Sequence, residues 1–304
     1  MQKMMVRQNL HEPVLVREVV EALGLKKIAH LKHKKKFIDA TLGPGGHSLE
    51  ILRSGSSLLG IDADPEAISY ARSIFESEKL NSFKLVRGNF KNIDTIASKS
   101  EFKEVDGIVF DLGVSRIQLT SGKRGFSFSN PKAPLDMRID RKSQRVTAAD
   151  LINALRHDQL IELFSKVLTT KDSEKLADEV IGKRQLSGVT KVGDFLEICH
   201  VLKAKKGMHQ ATLPFLALRI AVNSELETLE EALPKAFNLL KKGGRLAIIS
   251  FHSGEDRVVK RFYDSKKKSR KGDVLTLKPT IPRESELEVN PGSRSAKMRV
   301  LEKI

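Results

Sequence analysis

Residues 37–47 read Phe37-Ile38-Asp39-Ala40-Thr41-Leu42-Gly43-Pro44-Gly45-Gly46-His47, an apolar run that passes into a glycine-rich turn. Residues 48–52 continue as the start of a helix. The glycines let the backbone turn sharply and approach a ligand without a Cβ in the way. The helix that follows directs its free N–H groups into the same space. The pattern predicts a strand–turn–helix cradle for a small molecule within an α/β sheet.

Strands and helices alternate along the chain around this turn. Short apolar runs predict strands over residues 57–62, 83–87, 106–111 and 245–251, and periodic runs predict helices over 14–23, 65–78, 215–240 and 254–264. Two further strands, 274–277 and 297–303, are expected near a sheet edge. This alternation predicts an α/β fold with a doubly wound, mostly parallel sheet.

A different pattern interrupts the alternation in the middle of the chain. Residues 113–140 are rich in Gly, Ser, Pro and charge, which predicts a long loop, and several short helices are predicted between 147 and 201. Thr147 and Asp150 have the spacing of a helix capping box. We therefore expect an inserted all-helical domain at 116–214, within a sheet domain formed by 1–115 and 215–304.

Composition restricts the partners and the compartment. The 304 residues include 54 Lys and Arg against 38 Asp and Glu, a net charge of +16. This balance favours a polyanionic partner, above all nucleic acid, although a lysine-rich proteome would give the same balance. With one cysteine, Cys199, there is no disulfide framework, which favours a reducing compartment. No apolar run reaches the roughly 18 residues of a membrane span, so we expect a cytoplasmic protein with no membrane partner.

Acids that end predicted strands narrow the ligand class. Asp62 ends the second strand, where a carboxylate suits the hydroxyls of a ribose, and Asp111 ends the fourth. Ser48 occupies the third glycine position of a dinucleotide fingerprint, and no Gly-Lys-Ser/Thr of a phosphate-binding loop follows. A ribose acid beside a glycine turn without a phosphate signature fits S-adenosylmethionine. Phe90, after the third strand, is then placed to pack on the adenine.

Seven segments of the sequence resemble one family, the small-subunit ribosomal RNA cytosine-N4 methyltransferases. They are DATLGPGGH (39–47), FDLGVS (110–115), RGFSF (124–128), PLDMR (134–138), RIAVNSE (219–225), FHSGEDR (251–257) and NPGSRS (290–295). The resemblance runs in order over nearly the whole chain. It implies a class I, Rossmann-like methyltransferase fold with a helical insert, acting on a cytosine in the decoding centre of 16S ribosomal RNA. The partner is then this RNA or the small ribosomal subunit, and the protein a monomer or homodimer.

The resemblance also implies roles for individual residues. The cofactor contacts it implies are Gly43, Gly45, Gly46, His47, Asp62, Phe90, Asp111 and Gln118. The substrate contacts it implies are His11, Arg124, Phe126, Phe128, Asp136 and Arg138. From the residues alone, two alternatives stay open for the phenylalanines, since they either stack a flipped base or anchor a long loop. His11 and Asp136 are likewise either substrate-site groups or turn and cap residues.

Whether the protein could methylate a carbon of a pyrimidine ring depends on its one cysteine, Cys199. Methylation at pyrimidine C5 generally needs a cysteine nucleophile, and Cys199 lies among apolar residues of a predicted helix, which indicates a core position. Direct attack by a nitrogen or oxygen on the activated methyl group remains, without a metal. Asp111 then either accepts the amine proton or holds the methionine amino group. His252 and Ser253 follow the fifth strand and are the other catalytic candidates, with Ser253 as a helix cap the alternative.

Other functions stay open at this stage. The spacing of Ser253, His252 and Asp256 within one turn does not form a hydrolase triad. A methyltransferase of another acceptor would lack salt-dependent RNA binding, and a non-catalytic ribosome-assembly protein would not take up the cofactor. The basic runs 32–36, 203–206 and 266–271 are predicted to contact phosphates, although each run alone is also compatible with a solvated face.

Overall fold

The computed structural model describes residues 13–25, 34–114, 119, 122–204 and 207–304. The chain forms two compact units, one from the residues up to Gly113 together with Thr228–Ile304, and the other from Val114–Glu227. The expected boundary at 214/215 falls inside a helix, Thr212–Asn223, of the second unit. Phe215 and Leu218 of this helix are buried in the core of the second unit, which keeps the helix there.

The first unit contains a seven-stranded sheet of order β3-β2-β1-β4-β5-β7-β6. Strands β1 to β5 pair in parallel, and β7 pairs antiparallel with both β5 and β6. The strands are β1 (Lys36–Asp39), β2 (Ser57–Asp62), β3 (Phe83–Arg87), β4 (Val105–Asp111), β5 (Leu240–Ser250), β6 (Gly272–Val274) and β7 (Lys297–Lys303). The predicted doubly wound, mostly parallel sheet is confirmed.

Helices of the first unit connect these strands, and helices dominate the second unit. In the first unit they are α1 (Val16–Ala22), α2 (Gly46–Arg53), α3 (Pro65–Ser77), α4 (Ile93–Lys99), α11 (Ser253–Lys268) and α12 (Glu284–Val289). In the second they are α5 (Ala148–Ala154), α6 (His157–Ser165), α7 (Thr170–Leu186), α8 (Val192–Cys199) and α9 (Thr212–Asn223). Helix α10 (Glu225–Leu239) begins at the end of the second unit and continues in the first. None of the helices in the described part of the chain has the length and apolarity needed to cross a membrane.

Local sequence explains where several helices begin. Pro65 is the first residue of α3, and the Asp64 carboxylate caps that helix by accepting the Glu66 N–H at 3.0 Å. The predicted capping box is confirmed at α5, where Thr147 and Asp150 each accept the other's backbone N–H. Both helix starts are thus marked by local sequence.

Some predicted elements differ from the structure. The single helix expected over 215–240 is interrupted at Ser224, whose left-handed backbone (φ 47°) ends α9 before α10 begins. The helix predicted over 254–264 extends further, because the first three residues of the basic run 266–271 form the last turn of α11. The strand expected at 274–277 lies earlier, because β6 pairs Gly272 to Val274 with β7. Helices α4 and α12 were not predicted.

The strand order places a ligand site. The order reverses between β1 and β4, because the chain leaves β1 toward β2 and β3 on one side and returns to β4 and β5 on the other. Ligands of open α/β sheets bind beyond the carboxyl ends of the strands at such a reversal. Asp39 and Asp111 end the two strands concerned.

Candidate active site

The glycine turn after β1 needs glycine for two reasons, backbone conformation and close packing. Gly43 and Gly45 have left-handed backbones, with φ 50° and 87°. A Cβ on Gly45 would come within 2.9 Å of the Phe75 ring, and one on Gly46 within 2.7 Å of Pro13. The glycines therefore let α2 begin against the protein as well as beside a ligand.

A buried acid fixes the end of β1. The Asp39 side chain is 1% exposed and accepts hydrogen bonds from the Ser48 hydroxyl at 2.7 Å and the Thr41 N–H at 3.2 Å. Burial raises the pKa of Asp39, which His47 and these two donors oppose. Ser48, whose presence argued against a dinucleotide site, thus ties α2 to β1. The Asp39–Ser48 pair was not predicted, although an acid at the end of the strand before a glycine turn was a signal for it.

Asp62, at the end of β2, is held by the backbone of both neighbouring turns. Its Oδ2 accepts the Gly43 N–H and its Oδ1 accepts the Asp64 N–H, each at 2.8 Å. Burial raises the pKa of Asp62 to about 6, against the effect of these two donors. Each carboxylate oxygen keeps a further lone pair that can accept a hydroxyl.

His47 and Asp111 face each other across the strand-order reversal. The His47 Nε2 lies 3.5 Å from Asp111 Oδ2, and the His47 side chain is 5% exposed. Neither ring nitrogen, nor Oδ1 of Asp111, has a hydrogen-bond partner among the described residues. Burial disfavours charge on His47, but the nearby carboxylate of Asp111, with the charges of Asp39 and Glu286, outweighs it and raises the pKa of His47. Buried polar atoms without partners are rare in folded proteins, so this pair is suited to receive a polar ligand.

Two further residues shape this end of the sheet. The Asp111 N–H donates to the Thr41 hydroxyl at 2.6 Å, which holds the ends of β1 and β4 together. Phe90, half-buried after β3, packs edge-on against Phe110 with ring centroids 5.5 Å apart. This contact places the Phe90 ring near the end of β4.

His252 begins α11 in a way the sequence analysis did not anticipate. Its Nδ1 accepts the N–H groups of Gly254 (3.2 Å) and Glu255 (3.4 Å), while Glu255 accepts the N–H groups of Phe251 and His252. The cap of α11 is thus His252, and the alternative that Ser253 caps it is wrong. Since Nδ1 accepts these bonds, the ring carries its proton on Nε2. Asp256 pairs with Arg299 at 2.6 Å, so it is not oriented toward His252 as in a triad.

In the second unit, Asp136 holds two arginines. Arg138 donates to it through Nε at 2.7 Å and Nη2 at 3.0 Å, and Arg141 lies 2.9 Å from Oδ2. Burial opposes ionisation, but the hydrogen bonds and charges of the two arginines outweigh it and lower the pKa of Asp136. The Asp136 side chain is 8% exposed. Its observed role is therefore to fix the loop that carries both guanidinium groups.

The aromatic and arginine residues of the same loop are also anchored. Arg124 donates to the carbonyl groups of Arg138 (3.2 Å) and Ile139 (2.6 Å). Phe126 is buried in the helical core, as the anchor alternative required. Phe128 is half-buried and stacks on His209, with ring centroids 4.9 Å apart. Of the two rings, Phe128 is the more accessible to a base.

Cys199 is fully buried in the core of the second unit. Burial raises the pKa of its thiol well above the usual range. The reactive form of a cysteine is the thiolate, so Cys199 is not a nucleophile. The core position inferred from its apolar neighbours is confirmed.

The structure brings together the predicted cofactor residues that it describes. Gly43, Gly45, Gly46, His47, Asp62, Phe90 and Asp111 all follow the carboxyl ends of β1 to β4 in the first unit. The predicted substrate residues Arg124, Phe126, Phe128, Asp136 and Arg138 all lie in the second unit. His11 and Gln118 lie outside the described residues. The assignment of these side chains to cofactor and substrate stays a prediction.

Known proteins similar to this chain agree with the site. A family model described as the MraW methylase family matches residues 8–304. A protein of Methylacidiphilum infernorum named ribosomal RNA small subunit methyltransferase H is 42% identical, over 97% of this chain and 94% of its own. A protein of the same name from Coprothermobacter proteolyticus is 39% identical, over 96% of each chain.

Solved structures are similar to this chain at much lower identity. An rRNA methylase of Streptococcus thermophilus aligns with TM-score 0.44 and 13% identity, over 95% of this chain and 93% of its own. A SAM-dependent O-methyltransferase of Thermotoga maritima aligns with TM-score 0.43 and 9% identity, over 98% of this chain and 69% of its own. Membership rests on the sequence matches, which span nearly the whole chain and support S-adenosylmethionine as the cofactor. This chain belongs to the MraW methylase family.

Proposed function

We propose that this protein transfers a methyl group from S-adenosylmethionine to the exocyclic N4 of a cytosine in 16S ribosomal RNA, at the decoding centre. One observation carries the proposal. The glycine turn, Asp62 and the partly unsatisfied His47–Asp111 pair lie together at the strand-order reversal of a methylase-family fold. The residue-level roles below rest on that arrangement.

The residues present fit a nucleoside that carries an amino acid. Asp62 would accept the two ribose hydroxyls with its remaining lone pairs, and Phe90 would pack against the adenine. Asp111 has an oxygen without a partner among the described residues, which suits the ammonium group of the methionine part. Helix α2 begins at Gly45 with no acid in its first turn, so its positive end suits the methionine carboxylate.

The acceptor is proposed to be a nitrogen because a C5 mechanism lacks its nucleophile. Cys199 is the chain's one cysteine and is buried with its thiol protonated. S-adenosylmethionine, when bound, supplies a methyl group already activated by its sulfonium. The protein's part is therefore alignment, water exclusion and a place for the proton.

The amine of cytosine is a poor nucleophile, because its lone pair is delocalised into the ring. An oxygen that accepts one of its N–H bonds favours the tetrahedral nitrogen and receives the proton, directly or through water. Asp111 is the candidate for this step as well as for the methionine ammonium. His252 has its Nδ1 committed to the α11 cap. A catalytic role for His252 would therefore have to use its Nε2. Ser253, the other candidate, would act from the first turn of α11.

The RNA assignment rests on charge and on relatives. The net charge of +16 favours a polyanion. The two relatives above are named for the RNA of the small subunit. The choice of cytosine N4 comes from the resemblance of the seven segments, which include the site's glycine turn and the Asp111 strand.

A transfer assay with purified protein tests the proposal. The protein would be incubated with S-adenosylmethionine labelled in its methyl group and with either naked 16S ribosomal RNA or isolated small subunits. Label in RNA, found on digestion as N4-methylcytosine, supports the proposal. Label in protein only would support another acceptor, and absence of cofactor uptake in calorimetry would support a non-catalytic assembly protein.

A further inference from the structure

Positively charged side chains lie at the amino ends of the parallel strands, the end of the sheet opposite the proposed active site. We call this surface the basic edge and define it by residues 34–36, 266–268, 270, 271 and 303, all Lys or Arg. Two of the basic runs singled out in the sequence contribute to it. The proposed methyl transfer assigns no role to this edge.

Strand register places these residues together. Residues 34–36 precede and begin β1, and Lys303 ends β7, which runs antiparallel to β5. Helix α11 starts just after the carboxyl end of β5 and runs back along the sheet for 16 residues, about 24 Å. Its basic last turn therefore lies level with the amino end of β5. The basic edge crosses four neighbouring strands, β1, β4, β5 and β7. At the usual strand spacing its width is about 15 Å.

Two lysines of the basic edge are held close together by one aromatic ring. The Nζ of Lys266 lies 4.7 Å from the centroid of Phe237, and that of Lys303 lies 5.4 Å from it. Lys303 also donates to the carbonyl groups of Asn238 and Leu240, at the end of α10. Burial, and then the charges of Lys271 and Lys303, lower the pKa of Lys266. Like charges are thus packed close together, an arrangement that repels itself unless a polyanion neutralises it.

Nearby carboxylates do not neutralise the stripe. Asp106 pairs with Lys241, and Glu302 pairs with Arg245, so both acids serve cations outside the basic edge. Glu101 lies 3.5 Å from Lys84. Asp273 of β6 is exposed and lies opposite Glu302 of β7, one position before Lys303. The side chains of residues 267, 268, 270 and 271 are exposed, and no ion pair joins them to a carboxylate among the described residues.

The basic edge is far from the groups proposed to bind the cofactor. Strand β4 has seven residues from Val105 to Asp111, and the basic edge lies at its amino end. At about 3.3 Å per residue the two ends are about 20 Å apart. A nucleotide at the active site and a phosphate at the basic edge therefore cannot be immediate neighbours in a short strand.

We propose that the basic edge is a second RNA-binding surface, which contacts phosphates of a folded RNA at a distance from the methylated nucleotide. This inference rests on the proposed function and narrows its substrate class to RNA large enough to reach both ends of the sheet. Stripes of lysine track phosphates without reading sequence. The surface thus contributes affinity and orientation, and no chemistry.

The test is a charge-neutralising variant in which Lys267, Lys268, Arg270 and Lys271 are each replaced by Gln. Lys266 and Lys303 stay in place, so the packing around Phe237 is kept. The matched control replaces four exposed cations elsewhere, Arg72, Arg156, Lys171 and Lys175, by Gln, with the same change in net charge. Binding of full-length 16S ribosomal RNA, and of a short RNA with only the target cytosine and its neighbours, is measured against salt concentration. Cofactor affinity is measured by calorimetry.

We expect the variant to bind full-length RNA about tenfold or more weakly, with a log–log salt slope reduced by about 3, while the control binds nearly as wild type. Binding of the short RNA and of S-adenosylmethionine should be unchanged. Equal loss in the control, equal loss on the short RNA, or no loss at all would each overturn the proposal. The binding assay does not require methyl transfer, so failure of the proposed reaction would be recognised separately, by wild-type protein that binds RNA without methylating it.

Discussion

Nε2 of His47 lies 3.5 Å from Oδ2 of Asp111, and the two residues follow β1 and β4, the strands between which the sheet order reverses. Asp111, together with Asp39 and Glu286, raises the pKa of His47 although burial opposes it. The neighbouring carboxylates therefore favour the protonated form of His47. A protonated His47 ring beside the Asp111 carboxylate would complement the carboxylate and ammonium of an amino acid.

Replacement of Asp111 by Asn should weaken S-adenosylmethionine binding by about 10- to 100-fold, the effect of losing one hydrogen bond to a charged group. It should also lower the pKa of His47, because the largest favourable partner of the imidazolium is removed. Calorimetry measures the first effect and NMR titration of the His47 ring the second. Asp264→Asn, an exposed change on α11, is the control. Unchanged cofactor affinity together with an unchanged His47 titration would contradict the assignment.

Cofactor affinity should depend on the ionisation of Asp62. In the free protein burial raises the pKa of Asp62 to about 6. Ribose hydroxyls donate to the ionised carboxylate and so lower its pKa in the complex, which means that affinity rises with pH up to about 6 and then levels off. Dissociation constants between pH 5 and 8 measure this. In the Asp62→Asn variant the cofactor affinity should be low at every pH and should not rise with pH. This result would attribute the pH dependence to Asp62 and not to the titration of His47. A wild-type affinity that does not fall below pH 6 would contradict the ribose assignment.

Gly45 should tolerate a side chain less well than another glycine of similar backbone. Gly45 and Gly55 have φ of 87° and 86°, so an alanine at either costs about 1–2 kcal/mol of left-handed strain. At Gly55 nothing lies within 4 Å of the added Cβ, whereas at Gly45 the Phe75 ring lies at 2.9 Å. We expect Gly45→Ala to cost a further 1–3 kcal/mol or so in denaturant unfolding. Similar losses in the two variants would show that the close approach does not matter.

Asp136 should act on the stability of the second unit and leave cofactor affinity unchanged. Its folded pKa is lowered by the two arginines, so its contribution is present above the unfolded pKa near 3.9 and is lost as pH falls through the folded value. Asp136→Asn should therefore lower the free energy of unfolding by about 2 kcal/mol at pH 7, a difference that shrinks below about pH 4. Denaturation followed by circular dichroism measures it, with Asp158→Asn on the exposed start of α6 as the control. Full stability with loss of methyl transfer would instead indicate a direct contact with substrate.

The site in the first unit was predictable because the end of a strand can be recognised in the sequence as an apolar run that ends in an acid. Asp39, Asp62 and Asp111 each end an apolar run, and parallel strands bring their carboxyl ends to one edge. The sequence does not reveal that Gly46 must be glycine because Pro13, 33 positions earlier, packs against it. Contacts between residues distant in the chain require the fold.

Other features were missed for local reasons. The break at Ser224 has no proline or glycine to mark it, and the left-handed backbone there is set by tertiary contacts such as those of Asn223, which donates to the Met137 carbonyl at 2.9 Å. His252 caps α11 through a ring nitrogen, although oxygen-bearing side chains are the usual caps. The hydrogen bonds of Arg124 to two carbonyl groups were not predicted, because those carbonyl groups belong to a loop with no periodic pattern. The substrate role of Arg124 stays a prediction.

The most direct test of the central claim is nucleoside mass spectrometry of small-subunit ribosomal RNA from cells with and without this protein. We predict that one cytosine of the decoding centre loses its N4 methyl group when the protein is absent, and regains it when the wild-type protein, but not the Asp111→Asn variant, is supplied. If the methylation of every cytosine in that RNA is the same with and without the protein, the account is contradicted.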